Sequence, residues 1–261
     1  MKITPIQFNF VQNKPQNTVS NPLRMNNGLQ ADTVSFSSSC RKEKTENPQK
    51  TLKDCVPKHK GIIYRKVYDK RGKIIKKEPV EVDIVKDGPD IFTFQVDEES
   101  LGYVDLSYLT ADECKKIKLN IYKNYKDEGI EGDRIRVDFV ENQEPDEYGG
   151  MGHLADLLEV AACKELGIEP NIVSHSKKEA APLHYLRGKR FIPYEKYCSR
   201  SDIRRLDLKG KNPNDTIKEI IKRTPKGEKF NTDELPFAPL MYMPKSMAKE
   251  LEEELKEHPI F

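Results

Sequence analysis

The 261-residue chain has no tryptophan, no Cys-x-x-Cys pair and no run of the ~18 apolar residues that a membrane-spanning helix requires. Its five cysteines, Cys40, Cys55, Cys114, Cys163 and Cys198, are odd in number and widely spaced, and no histidine stands near them at zinc-ligand spacing. A disulfide framework and a zinc finger are excluded on that basis. The expectation is reduced thiols in a cytoplasmic compartment, with Cys163 a small core residue and no metal. Charge of one sign is lacking as well: Lys+Arg 45 against Asp+Glu 43 leaves +2, too little to attract nucleic acid or an anionic membrane by bulk electrostatics. Lys2 is followed by no apolar stretch of ~7–15 residues, so a standard secretory signal is not expected. Hydrophobic residues make up only 36% and charged residues 34%, so a core is expected over part of the length only.

Two phosphate-binding signatures are also missing. No Gly-Lys-Ser or Gly-Lys-Thr follows a glycine loop, and Gly-x-Gly-x-x-Gly fails because Ala155 holds its last position. What is present is Glu147-Tyr148-Gly149-Gly150-Met151-Gly152-His153-Leu154, between the strand-like Asp133 to Val140 and a helical Gly152 to Leu166. Glycines that open a helix directly after a strand let a ligand approach the free first-turn N–H groups and the positive end of the helix dipole. The expected ligand is a pyrophosphate.

Around that loop the chain divides into three stretches. Residues 1–58 are rich in Asn, Gln, Ser, Thr, Pro and Lys and read as a flexible tail, with Ile3 to Phe8 and Val34 to Phe36 as apolar spots able to meet a protein partner. Residues 59–200 form the main domain. It begins with an antiparallel meander, Ile62 to Tyr68, Val80 to Val85, Ile91 to Val96 and Gly102 to Tyr108, punctuated at Asp69 to Gly72 and Asp87-Gly88-Pro89. Thr110 to about Lys126 follows as a helix whose lysines read as a solvated face, not an RNA-binding one. Then come the half-buried strand before the glycine loop, a helix with Leu154, Leu157, Leu158, Ala161, Ala162 and Leu166 on one side and Gly167 at its end, and a short strand at Asn171 to Ser174. Strand, helix and strand in that order imply a parallel pair with a right-handed crossover. Residues 201–261 form an extension with a helix at Pro213 to Arg223, a strand-like Pro239 to Met243 and a last helix whose Met247, Leu251 and Leu255 make a docking stripe; a basic patch at Arg200, Arg204 and Arg205 precedes it.

This order of elements resembles the GNAT superfamily of N-acetyltransferases over about Gly61 to Tyr194, with Pro239 to Met243 as a late strand. In that family the phosphate loop reads Gln/Arg-x-x-Gly-x-Gly/Ala; Gly150 and Gly152 match its small positions, while Glu147 stands where Gln or Arg is usual. The segment Pro182 to Phe191 resembles the family's tyrosine-bearing helix, but its closing Gly-Phe pair is split by Lys189-Arg190. The resemblance implies an α/β fold of the α+β type: a mixed, mainly antiparallel sheet with a splayed parallel pair, flanked by helices. It further implies acetyl-CoA as co-substrate, held at Val140, Gly149, Gly150, Met151, Gly152 and His153.

The implied activity is direct attack of a primary amine, from a small molecule or a peptide, on the thioester. That needs a proton acceptor, a polarised carbonyl and a proton donor for the thiolate. The resemblance places Tyr185 as the acid. Glu141, Asp138 and His175, in that order, are the candidate bases, and the backbone N–H of Val140 or Glu141 polarises the carbonyl if a bulge interrupts pairing there. His153 and His184 read as packing or loop residues. A CoA-binding or protein-interaction module without activity is the alternative, favoured by Glu147 and the split Gly-Phe pair.

Overall fold

A computed structural model describes residues 50–116 and 132–261. Among the described residues, nine strands form one mixed sheet in the order β6-β1-β2-β3-β4-β5-β7-β9-β8. The meander comprises β1 (Gly61–Tyr68), β2 (Ile74–Lys86), β3 (Ile91–Val96) and β4 (Glu99–Leu109), each antiparallel to its neighbour. The 13-residue β2 pairs with β1 through its first part and with β3 over Asp83 to Lys86, so one strand carries two ladders. Its Ile74 to Lys77 start is exposed, and no burial alternation marks it in the sequence.

After β4, α1 is described over Ala111–Lys116, and the rest of the helix expected to reach Lys126 lies outside the described residues. Then follow β5 (Arg134–Asn142), β6 (Tyr148–Gly149), α2 (Met151–Leu166), β7 (Ile172–His175), α3 (Ala181–Leu186), β8 (Arg190–Phe191), α4 (Arg200–Arg205), α5 (Pro213–Arg223), β9 (Leu240–Tyr242) and α6 (Lys245–Glu257). β5 and β7 are the parallel pair and α2 is their crossover. The late strand β9 inserts antiparallel between β7 and β8.

The largest core cluster joins α2 and α6 to the inward side chains of β1 to β5 and β7, among them Ile63, Val82, Phe92, Phe94, Val104, Leu106 and Ile135. Twelve of the 16 residues of α2 are buried, so the helix is enclosed on nearly every side. Met247, Leu251 and Leu255 of α6 belong to this cluster, as their spacing predicts. A second cluster packs α5 through Ile217 and Ile220 against Ala181, Phe191 and Met241.

Two expectations are corrected here. The tail was drawn to residue 58, yet Leu52 is 2% exposed, Cys55 is fully buried, and the Lys58 and His59 amides bond the Ile260 carbonyl. The packed chain therefore begins before residue 58, because a few apolar side chains in a polar composition are enough to anchor it. The glycine segment is not wholly a loop either: Tyr148 and Gly149 form β6 against Arg65 and Tyr64, the Glu147 carbonyl accepts from the Lys66 amide, and the turn is made at Gly150, with φ 91°. Among the described residues, no helix is long and apolar enough to cross a membrane.

Candidate functional site

The β5–β7 ladder is only three residues long, Ile135 to Val137 against Ile172 to Ser174. Beyond it the strands part, and the local pairing shows why. β5 continues with β4 as far as Asn142, but its register skips Asp138, since Leu106 faces Val137 and Asp105 faces Phe139. A bulge at that position bends β5 away. β7 instead follows β9, pairing Val173, Ser174 and His175 with Tyr242, Met241 and Leu240. The gap is a cleft of about 220 Å³ between residues 137–140 of β5 and residues 174–177, at the end of β7 and just beyond it. One face of α2, carrying Gly152, Asp156 and Glu159, floors it, and His184 and Arg187 close its far wall.

The floor is charged and almost dry. Asp156 is 1% exposed, Glu159 fully buried and Lys189 2% exposed. Lys189 Nζ lies 2.9 Å from Asp156 Oδ1 and 3.0 Å from Glu159 Oε2, and Arg187 pairs with Asp156 while donating to the Gly152 carbonyl. Burial raises the Glu159 carboxyl against the lowering pull of Lys189, and burial lowers Lys189 against the raising pull of Glu159. Desolvation thus exceeds attraction at both groups, the usual state of a buried ion pair. Arg187 is pushed down to about 10 by burial and remains a cation at neutral pH. His184 is pushed down to about 4, by burial first and by the Lys189 charge second, so it is a neutral imidazole.

At the mouth, His175 lies on an exposed position of β7. The protein around its ring desolvates the imidazolium and lowers its pKa, a backbone hydrogen bond at Ala238 opposes this, and the Arg136 charge adds to the lowering. A neutral imidazole there can take up a proton.

The residues singled out from sequence fall on both sides of this arrangement. Val140 and Asp138 line the cleft, but Asp138 is taken up by Arg136 at 2.5 Å and by the Ser107 hydroxyl. Glu141 stands opposite Tyr103, whose phenol bonds it, and does not line the cleft. The bulge that was placed at Val140 or Glu141 is at Asp138. Tyr185 does not line the cleft either: Arg190 stacks 4.5 Å over its ring, which packs with the α5 cluster. Its neighbour His184, read as a packing residue, is the one that reaches the cleft.

Of the phosphate-loop residues, Gly149 is engaged in β6, and His153 turns outward to Glu254 at 3.0 Å. The His153 and Leu154 amides return to the Gly150 carbonyl, which leaves those of Met151 and Gly152 as the orphan donors of the first turn. Glu147 meets Arg65 at 3.5 Å, so its charge is partly offset.

Sequence reasoning missed the floor. Asp156 and Glu159 look like polar interruptions of an apolar helix, and Lys189-Arg190 like an insertion that spoils a motif. The structure gives each of the two inserted residues a partner, Lys189 under the cleft and Arg190 over Tyr185. Two like charges one turn apart on an otherwise buried helix face, Asp156 and Glu159, are the signal that calls for such a cation. Among the described residues, no group of three or more His, Cys, Asp or Glu side chains is placed to hold a metal ion. Comparison of the chain with protein-family models, curated proteins and solved structures gives no match.

Proposed function

We propose that the chain is an N-acetyltransferase of the GNAT type, passing an acetyl group from acetyl-CoA to a primary amine of a small molecule or peptide. The observation that carries this is the parting of β5 from β7 at the Asp138 bulge, directly above a helix opened by glycine. The order of elements, with β9 returning beside β7, supports the same reading. In it the Met151 and Gly152 amides and the Arg187 guanidinium meet the pyrophosphate, and the acyl arm enters the cleft along Phe139 and Val140. With Asp138 held by Arg136 and Glu141 outside, His175 is the base. Since Tyr185 stands away from the cleft, it does not protonate the leaving group; a thiol of pKa ~8.5 departs as thiolate at modest cost.

The position of Tyr185 also favours a second reading, a module that binds acetyl-CoA or a protein partner without catalysis. Calorimetry with acetyl-CoA on the wild type and on Gly152→Asp tests the site common to both. A Cβ at Gly152 would meet Arg187 Nη1 at 2.2 Å, the far end of a flexible side chain that can swing aside, so the variant keeps its fold. Its carboxylate competes for Arg187 and repels a phosphate, so micromolar binding should weaken by ~10-fold or more. No binding to the wild type removes the acetyltransferase reading and leaves a protein-interaction module. Binding without transfer to any amine, spermidine and a lysine peptide included, leaves the second.

A further inference from the structure

The cleft contains a primary amine of its own. Lys177 lines it two residues beyond the end of β7, and its Nζ lies 5.3 Å over the ring of Phe139, which also stacks on Tyr103 at 5.6 Å. Lys177 is exposed, and among the described residues no carboxylate holds it. Its neighbours differ. Lys178 donates to the Leu235 carbonyl at 2.7 Å, and Lys189 is buried between Asp156 and Glu159. A cation on an exposed aromatic face is held weakly, so the Lys177 amine is free to move within the cleft. His175, two residues earlier, also lines the cleft and is exposed, with Ser176 buried between them at 1% exposure. A donor thioester seated along Phe139 and Val140 therefore has one nucleophile and one base of this chain beside it.

We propose that the chain acetylates its own Lys177, in cis, from an acetyl thioester bound in this cleft; the proposal rests on the acetyl-CoA reading above. His175 takes a proton from the Lys177 ammonium, and the freed lone pair attacks the thioester carbonyl carbon. The N–C bond forms and the C–S bond breaks, its electron pair leaving with the CoA thiolate. The nitrogen's second proton passes to that thiolate, and the imidazolium returns its own to solvent. The product, an uncharged acetyl-lysine, stands where an external amine would enter, so the modified chain is closed to further acceptors.

The full chain is incubated with acetyl-CoA, and acetylation of every lysine is followed by peptide mass spectrometry. Calorimetry on the same preparation reports binding. Lys177 should be acetylated at least ~10-fold faster than Lys178 or the exposed Lys53 and Lys58, because it alone is held next to the donor. The rate should not change on dilution of the protein, and His175→Gln should slow it by ~10²-fold and flatten its pH profile. A chain that binds acetyl-CoA yet modifies Lys177 no faster than surface lysines overturns this proposal alone, as does a rate that falls on dilution. A chain that does not bind acetyl-CoA overturns it together with the reading on which it rests.

Discussion

Replacing Lys189 by methionine tests whether the cleft floor is held by ion pairing. Lys189 Nζ is 3.0 Å from Glu159 Oε2, and Glu159 has no solvent exposure and, among the described residues, no other cation, whereas Asp156 keeps Arg187. The variant must bury an unpaired carboxylate or protonate it. Breaking a buried pair from one side costs about 3–5 kcal/mol. Protonation sets a ceiling: neutralising a carboxyl with an unfolded pKa of ~4.3 at pH 8 costs about 3.7 × 1.36, or ~5 kcal/mol, and at pH 6 only ~2.3 kcal/mol. The sign follows from proton binding. In the variant the folded chain binds a proton that the unfolded chain has lost, so its stability falls as pH rises above ~4.3 and recovers toward acid. Urea unfolding with a slope of ~2 kcal/mol/M should show the midpoint ~2 M below wild type at pH 8, and the deficit should shrink steadily to pH 6. The double variant Lys189→Met/Glu159→Gln should return to within ~1 kcal/mol of wild type, since burial acts against the charged form of both partners. A single variant within ~0.5 kcal/mol of wild type at pH 8, or a deficit indifferent to acid, would refute the reasoning.

Two further outcomes are expected. Leu255, 4% exposed in the stripe that fixes α6 to α2, should lose ~3 kcal/mol on truncation to alanine, lowering the calorimetric Tm by ~10 °C, whereas Lys256→Ala on the outer face should stay within ~0.5 kcal/mol. His184 stays neutral in the folded chain down to about 4, while an unfolded histidine binds its proton near ~6.5. Its burial therefore supports stability above that pH and withdraws the support as pH falls from ~6.5 to 4; His184→Gln should reduce the loss of urea midpoint between pH 7 and pH 5, and an unchanged loss would show that the ring is solvated.

The parts of this fold that were legible in the sequence are those in which one local rule acts alone. Asp69 to Gly72 and Asp87-Gly88-Pro89 punctuate the meander where the turns lie, Gly167 ends α2 with φ 69°, and Asn212-Pro213 starts α5 through an Asn212 side-chain cap. Rules that depend on a partner were not legible. The β3–β4 turn is made by Asp97 and Glu98 at φ 50° and 69°, with no glycine to announce it. The first half of β2 exists because β1 pairs with it, not because it buries anything. The site divides in the same way. Gly150 and Gly152 mark the start of α2 from composition alone, but which side chain of α3 or its C-cap enters the cleft depends on the pitch of a six-residue helix, which gives that place to His184 and to the C-cap residue Arg187 and turns Tyr185 onto α5.

The bulge and the buried charges are linked by geometry. Once β5 follows β4 past Asp138 and β7 follows β9, the face of α2 beneath the gap has no strand to cover it. Apolar side chains at those dry positions would give the far wall no partner of opposite charge. Asp156 and Glu159 instead bring Arg187 and Lys189 across from the far wall, so the segment after α3 is tied to α2 by ion pairs where no sheet can tie it. The arrangement contributes little net stability, as the pKa directions at Glu159 and Lys189 indicate, but it sets the distance between the two walls. The neutralised double variant at Lys189 and Glu159 should therefore separate two roles: unfolding free energy near that of wild type, with acetyl-CoA affinity reduced because the wall is no longer fixed. Equal affinity in that variant would assign the cleft's width to the strands alone.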